Sequence, residues 1–303
     1  MIRTVLGDIE KNEFGATMCH EHFIIDLDKV RHDGISMIET VEEVVPEIKL
    51  MMDLGVEAAI EVTTIDLERD VLKLKEICEK TGLKMVCSTG YYLSQFHPEW
   101  LNDATVEEIA DVYIKELTEG IDDTGIKAGI IAEIASSPKE FVGNEKKILQ
   151  AAGLAAAKTG CAVSTHTGRF TAVETIETLL SYGMNPEKII IGHQDLINYS
   201  DYNLSLLKYG VNIAFDTCGK VNYMADEIRA ENMLKIIQAG YGNHIMVSDD
   251  VSRRTYFVSH GGVGYIAAYK TVLPLLKEYG ATDEDIRKIT TENPARVLDN
   301  DWQ

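Results

Sequence analysis

No two of the five cysteines are placed to act together. Cys19, Cys78, Cys87, Cys161 and Cys218 are odd in number and scattered, without a Cys-x-x-Cys spacing, so neither a disulfide framework nor a thiolate zinc site is expected. No apolar run approaches membrane-spanning length, and residues 1–10 show no basic start followed by an apolar stretch. A spanning helix and a secretory leader are therefore not expected, and the default reading is a cytoplasmic protein with no membrane partner. Positive charge is also scarce, with 29 Lys and Arg against 49 Asp and Glu, a net charge of -20. Such a field repels a polyphosphate backbone, which argues against nucleic acid as a partner while leaving room for a small anion in a local basic pocket. No glycine-rich dinucleotide loop follows the first strand-like run, and no Gly-Lys-Ser/Thr sequence marks a P-loop.

What is present is a regular alternation. With 303 residues, 45% of them hydrophobic, the chain can bury a large core. Short β-branched runs at 14–19, 56–62, 84–88, 127–133, 161–165, 188–192, 211–215 and 244–248 predict eight strands. Amphipathic stretches at 40–54, 68–81, 106–121, 145–158, 172–182 and 225–238 predict helices between them. Several end at glycine (Gly55, Gly82, Gly160, Gly183, Gly240), as a left-handed helix exit requires. Eight β-then-α units predict an α/β protein, a (β/α)8 TIM barrel forming a single domain over residues 1–303.

A barrel of this kind carries its active site at the C-terminal ends of its strands. Those ends collect metal ligands: His20 and His22 after strand 1, Glu133 on strand 4, His166 on strand 5, His193 on strand 6, and Asp250 after strand 8. Each alone has an ordinary reading as a core or capping residue. Six together, using half of the eight histidines, predict a metal centre. His32, His97, His244 and His260 fall outside the pattern and read as surface or loop residues. Four imidazoles and two carboxylates exceed what one tetrahedral catalytic ion needs, so two divalent ions sharing a carboxylate are expected. Histidine and carboxylate donors suit zinc first, with manganese, cobalt, iron or nickel open.

The blocks Gly15-x-Thr17-x-x-His20-Glu21-His22, Thr165-His166-Thr167, Gly192-His193, Ser248-x-Asp250 and Glu292-Asn-Pro-Ala-Arg296 resemble the phosphotriesterase family of the amidohydrolase superfamily, in order and over essentially the whole chain. The resemblance implies a binuclear metal hydrolase. It would assign His20, His22 and Asp250 to the inner ion and His166 and His193 to the outer one, with Asp250 preferred to its neighbour Asp249 on the Ser-x-Asp spacing. Most of the family bridges the ions with a carboxylated lysine on strand 4, whereas Gly129-Ile-Ile-Ala-Glu133 has none. Lys127 lies near the opposite end of the barrel, so Glu133 is the expected bridge, as in the branch called phosphotriesterase homology proteins. Glu133 aligns one residue beyond the usual lysine, a step that flips the face in a regular strand. A bulge or shifted strand end is therefore needed. Family lactonases for acyl-homoserine substrates carry Asp-Arg-Tyr-Gly after strand 7; Asp216-Thr-Cys-Gly219 stands here, and the missing arginine counts against that class.

The implied chemistry is hydrolysis of an ester, lactone or phosphoester by a metal-bridging hydroxide, with the outer ion polarising the scissile bond and Asp250 as the catalytic proton acceptor. For substrate binding, Arg253 and Arg254 precede His260-Gly-Gly-Val-Gly264 and the last large helix, Lys220 follows strand 7, and Tyr91 and Tyr92 follow strand 3. The cations and the helix start suit a small, anionic substrate, a phosphorylated sugar lactone first. At least one of the two tyrosines is expected to pack under a loop instead. Alternatives are a TatD-like metal-dependent nuclease, which uses a similar ligand set but opens Asp-x-His-x-His, and a non-catalytic metal-binding protein. A homodimer is the default assembly.

Overall fold

The computed structural model describes residues 1–302. Its centre is a sheet of eight parallel strands in sequential order: β1 (Thr17–Glu21), β2 (Ala58–Glu61), β3 (Lys84–Thr89), β4 (Ile130–Ala135), β5 (Val163–His166), β6 (Ile189–Ile191), β7 (Asn212–Phe215) and β8 (Ile245–Val247). Each strand leads into helical structure: α1 (Val41–Met52), α2 (Val71–Thr81), α3 (Val106–Thr118), α4 (Glu145–Thr159), α5 (Ala172–Ser181), α6 (Ser200–Leu207), α7 (Asp226–Ile236) and α8 (Leu273–Glu278). This is the expected (β/α)8 barrel. The helices begin where polar side chains satisfy their free N–H groups. Thr40 accepts from Glu43 N, Asp70 from Leu72 N and Lys73 N, and Thr105 and Glu108 form a reciprocal capping box. Gly82 and Gly160 (φ 79° and 72°) end α2 and α4 in the left-handed conformation. No helix among the described residues is long and apolar enough to cross a membrane.

Strand alternation divides the core into two layers. Ile131, Val163, Ile213, Phe215, Ile245 and Val247 face outward against the helices. Ile60, Val86, Ile130, Ala132, Ala162, Ile190, Ala214 and Met246 fill the barrel interior. The floor is plugged by Ile2, Phe14, Val297 and Leu298, so β1 starts at Thr17 and later than the apolar run from Phe14 implied. The Glu292-to-Arg296 block serves this end. Asn293 Nδ2 donates to the carbonyls of Gly242 and Ile245, and Arg296 Nη2 donates to Asn212 Oδ1 and the Asn243 carbonyl. Apolar filling below leaves the upper end of the barrel to polar groups.

First and last strands meet through a side chain. Ser248 Oγ, after β8, accepts from His20 N at 2.9 Å and donates to Glu21 Oε1 at 2.7 Å. Glu21 also accepts from the backbone N–H groups of Asp249 (2.7 Å), Asp250 (3.3 Å) and Val251 (3.0 Å). Hydrogen bonds to a charged acceptor contribute about 1.5–3 kcal/mol each. Glu21→Ala should therefore lower unfolding free energy by about 3 kcal/mol or more, read from the urea midpoint. A stability equal to that of the parent would show that this carboxylate does not hold the seam.

Candidate metal centre and cavity

Two strands depart from regular alternation, and both departures bring ligating side chains inward. On β4 the pairing register with β5 shifts between Ile131 and Ile134. Ala132 packs inside the barrel and Glu133 follows it inward, while Ile131 and Ile134 face the helices. Two successive inward residues are what a bulge provides, and this is the irregularity that Glu133 required. On β1 the register with β2 shifts between Met18 and Glu21; Cys19 fills the interior and His20 stands directly above it. At two further strand ends the chain turns through the left-handed conformation, at His193 (φ 58°) and Asp250 (φ 49°), a state His and Asp adopt more readily than most residues.

The six sequence-derived ligand positions converge. Glu133 is their centre: its Oε2 lies 3.3 Å from His20 Nε2, 3.1 Å from His166 Nδ1 and 3.8 Å from His193 Nε2, and its Oε1 lies 3.4 Å from His22 Nε2. Asp250 Oδ1 is 3.4 Å from His22 Nε2 and 3.9 Å from His20 Nε2. The ligating atoms of His20, His22 and Glu133, and separately those of Glu133, His166 and His193, lie within 4.8 Å of one another. Both ring nitrogens of His20 are buried without a hydrogen-bond partner. Buried polar atoms left unpaired in a native fold call for an ion or water. The donor set fits divalent metal: His20 and His22 with Asp250 nearby, and His166 with His193, could each hold an ion, and Glu133 is within reach of both groups.

Other residues aim these rings. Asp216, the first residue after β7, accepts from His193 Nδ1 at 2.9 Å and stands 3.3 Å from His20 Nδ1. His22 Nδ1 meets Thr63 Oγ1 at 2.9 Å, and Thr63 bonds in turn to the buried Glu61. Backing one nitrogen fixes the tautomer and orients the other toward the ion. Asp216 is not among the ligand positions expected from the sequence; its place at a strand's C-terminal end is the signal that marks it. Burial pushes the Glu133 carboxyl up, but His20 and His166 outweigh that and hold it well below the carboxylate range. Burial works against the His22 and His193 cations, yet Asp250 and Glu133 raise His22 to about 10. Asp216, with Asp250 and Glu133, likewise raises His193 to about 10.

A cavity of about 550 Å³ opens above the cluster. Lys220 and Arg253 line it, as does Tyr92, whose hydroxyl is 3.3 Å from His166 Nδ1. Lys220 Nζ donates to Asp250 Oδ2. Burial opposes ionisation of Asp250, but Lys220 and the neighbouring imidazoles prevail and hold its carboxyl far below the usual range. Two expected substrate residues are not at the cavity. Arg254 turns outward to Glu43 (3.0 Å) and Glu39 (3.4 Å), because α1 presents carboxylates within its reach. Tyr91 packs under the loops, its ring 5.9 Å from that of Tyr113 and 6.0 Å from that of Trp100. The His260–Gly264 loop does not line the cavity, and a side chain at Gly262 would strike the Tyr256 carbonyl, so that glycine serves a turn. The helix start beyond it is already capped by Asp249, whose carboxylate accepts from Ala267 N and Ala268 N at 2.8 Å each. That cap also removes Asp249 from the metal cluster.

A model described as the Phosphotriesterase family matches residues 1–298. The phosphotriesterase homology protein of Escherichia coli (strain K12) is 33% identical over 285 residues, covering 94% of this chain and 98% of that one. A crystal structure of the phosphotriesterase homology protein from E. coli, complexed with phosphate in its active site, superposes with a TM-score of 0.91 at 32% identity, covering 94% of this chain and 99% of that chain. N-acetyltaurine hydrolase of Dictyostelium discoideum is 29% identical over 360 residues (98% of this chain, 97% of that one). Phospho-furanose lactonase of Mycoplasmopsis synoviae (strain 53) is 32% identical over 323 residues (98% and 91%).

With no ions bound, both raised imidazoles carry protons at pH 7, so metal must displace them. Zinc titration of the metal-free protein in two buffers of different ionisation heat should read release of about two protons at pH 7, with apparent affinity rising toward pH 10. The same shifts set the stability of the metal-free protein. Each raised pKa contributes stability that is fully present below about 6.5 and lost as the pH climbs through about 10. Zinc binding without proton release at pH 7 would contradict this protonation state.

Proposed function

The chain belongs to the phosphotriesterase family, and from that premise we propose that it is a hydrolase holding two divalent ions and cleaving a small anionic ester or lactone, a phosphorylated sugar lactone first. The observation that carries the anionic reading is a charge count. Of nine arginines, Arg3, Arg69, Arg229, Arg254, Arg287 and Arg296 pair with carboxylates. The other three, Arg31, Arg169 and Arg253, all line the cavity, and none has a carboxylate partner among the described residues. In a chain with 49 acidic residues, positive charge left unneutralised around one cavity is matched to an anionic ligand. The relatives support this: phosphate, a phospho-furanose lactone and N-acetyltaurine, a sulfonate, are all anions.

In this reading His20, His22 and Asp250 would hold one ion, His166 and His193 the other, and Glu133 would serve both. Bound there, the ions supply Lewis acidity and ionise water near neutral pH. The side chains do the rest. Lys220 keeps Asp250 ionised through its bond to Oδ2; when Lys220 turns to the anionic end of the substrate that oxygen is freed and its basicity rises, so that it accepts the proton released on attack and returns it to the leaving oxygen. Burial raises the Tyr92 pKa well above its ordinary value, so its hydroxyl stays a donor beside His166. Arg253 and Lys220 flank the Tyr256 ring, 6.0 and 5.1 Å from its centroid, and together hold the anionic end of the substrate. Ile25, Leu27, Leu67 and Ile197 line the apolar wall and exclude water.

Asp250→Asn should retain bound metal and lose turnover by about 100-fold or more in a screen of lactones, sugar-lactone phosphates, phosphoesters and N-acyl sulfonates; unchanged turnover would remove Asp250 from the chemistry. Arg253→Ala should raise KM about tenfold or more for a phosphorylated lactone and little for its unphosphorylated analogue. Equal effects on both compounds would count against the anionic substrate.

A further inference from the structure

Arg169 follows β5 by three residues and lines the cavity. Its seat is built from the segment after β5, the segment after β6 and the first turn of α6. The guanidinium carbon lies 5.3 Å from the Tyr199 ring centroid, 5.9 Å from that of Tyr202 and 6.0 Å from that of Phe170. The Tyr202 hydroxyl donates to the Arg169 carbonyl at 2.5 Å, fixing the backbone beneath the side chain. Aromatic faces stabilise a cation without neutralising it, so the guanidinium keeps its charge and its N–H edge for another partner. Of the other arginines without a carboxylate, Arg31 donates to Ser36 Oγ and Arg253 belongs to the loop-8 group. Arg169 alone of the three stands among three rings.

Position around the barrel separates the two cationic groups. Arg169 extends from β5 and Arg253 from β8, three strands apart in the sheet order. The two residues therefore enter the cavity from different parts of the barrel mouth. We propose that Arg169, with Tyr199, Tyr202 and Phe170, forms a second anion subsite, so that the preferred substrate carries two anionic groups at opposite ends. One group meets Lys220 and Arg253; the other is gripped by the Arg169 guanidinium, whose planar fork suits a carboxylate or phosphate. This inference rests on the anionic-substrate reading and adds the number and spacing of the charges.

Titration calorimetry on the zinc-loaded protein tests it without turnover, using α,ω-dicarboxylates from succinate to suberate against monocarboxylates of equal length. At one chain length the second carboxylate should tighten binding about tenfold, the size of one charge-assisted contact. Arg169→Gln should reduce that advantage below about twofold and leave monocarboxylate affinity unchanged, with Arg169→Lys between. The subsite is overturned if no chain length gains from a second carboxylate, or if Arg169→Gln weakens both series equally. Monocarboxylate binding that weakens in Arg253→Gln would keep the anionic reading alive in that event. Failure of every anion to bind overturns both.

Discussion

The barrel closes on one buried carboxylate. Backbone ladders join each strand to the next from β1 to β8, but where the last returns to the first, Glu21 gathers the Ser248 hydroxyl and three successive N–H groups. Because Glu21 sits between His20 and His22, and the segment it grips runs through Asp249 and Asp250, the same contact sets the ligands of both strand ends. A shift in this seam would separate two imidazoles from the carboxylate they face. Fold closure and site geometry are therefore one constraint, which accounts for an acidic residue in a position where desolvation disfavours its charge.

Charge is distributed in two tiers above that seam. Closest to the barrel, imidazoles and carboxylates alternate, with Glu133 central and Asp216 behind His20 and His193. Further out, the cavity walls carry three arginines whose neighbours are rings and hydroxyls instead of carboxylates. The rest of the molecule does the reverse and pairs its arginines with acids. An anion drawn toward this cavity meets an attractive patch inside a repulsive envelope, which favours small anions and discriminates against extended polyanions.

Several elements were legible because local chemistry dictates them. The eight strands and six of the helices, though not α6 or α8, follow from β-branched runs, capping residues and terminal glycines, and the strand-end histidines follow from counting polar residues where a barrel places its site. Other residues were not. Arg253 and Arg254 are identical neighbours in the chain, yet one faces the cavity and the other meets Glu43 on α1 and Glu39 just before it. Tyr91 and Tyr92 divide in the same way, one packing on Tyr113 and Trp100 and the other reaching His166. Adjacent residues of one type differ only in direction, and direction is set by elements distant in sequence.

The sequence by itself determined the barrel, the family and the identity of the six converging side chains, since periodicity and motif spacing are properties of the chain. Tertiary structure decided how Glu133 reaches the centre, through the register shift on β4; how Asp249 and Asp250 part, one to cap a helix and one to the cluster; and which cations remain unpaired. Each of those outcomes depends on a partner brought close only when strands and helices pack, which no local pattern encodes.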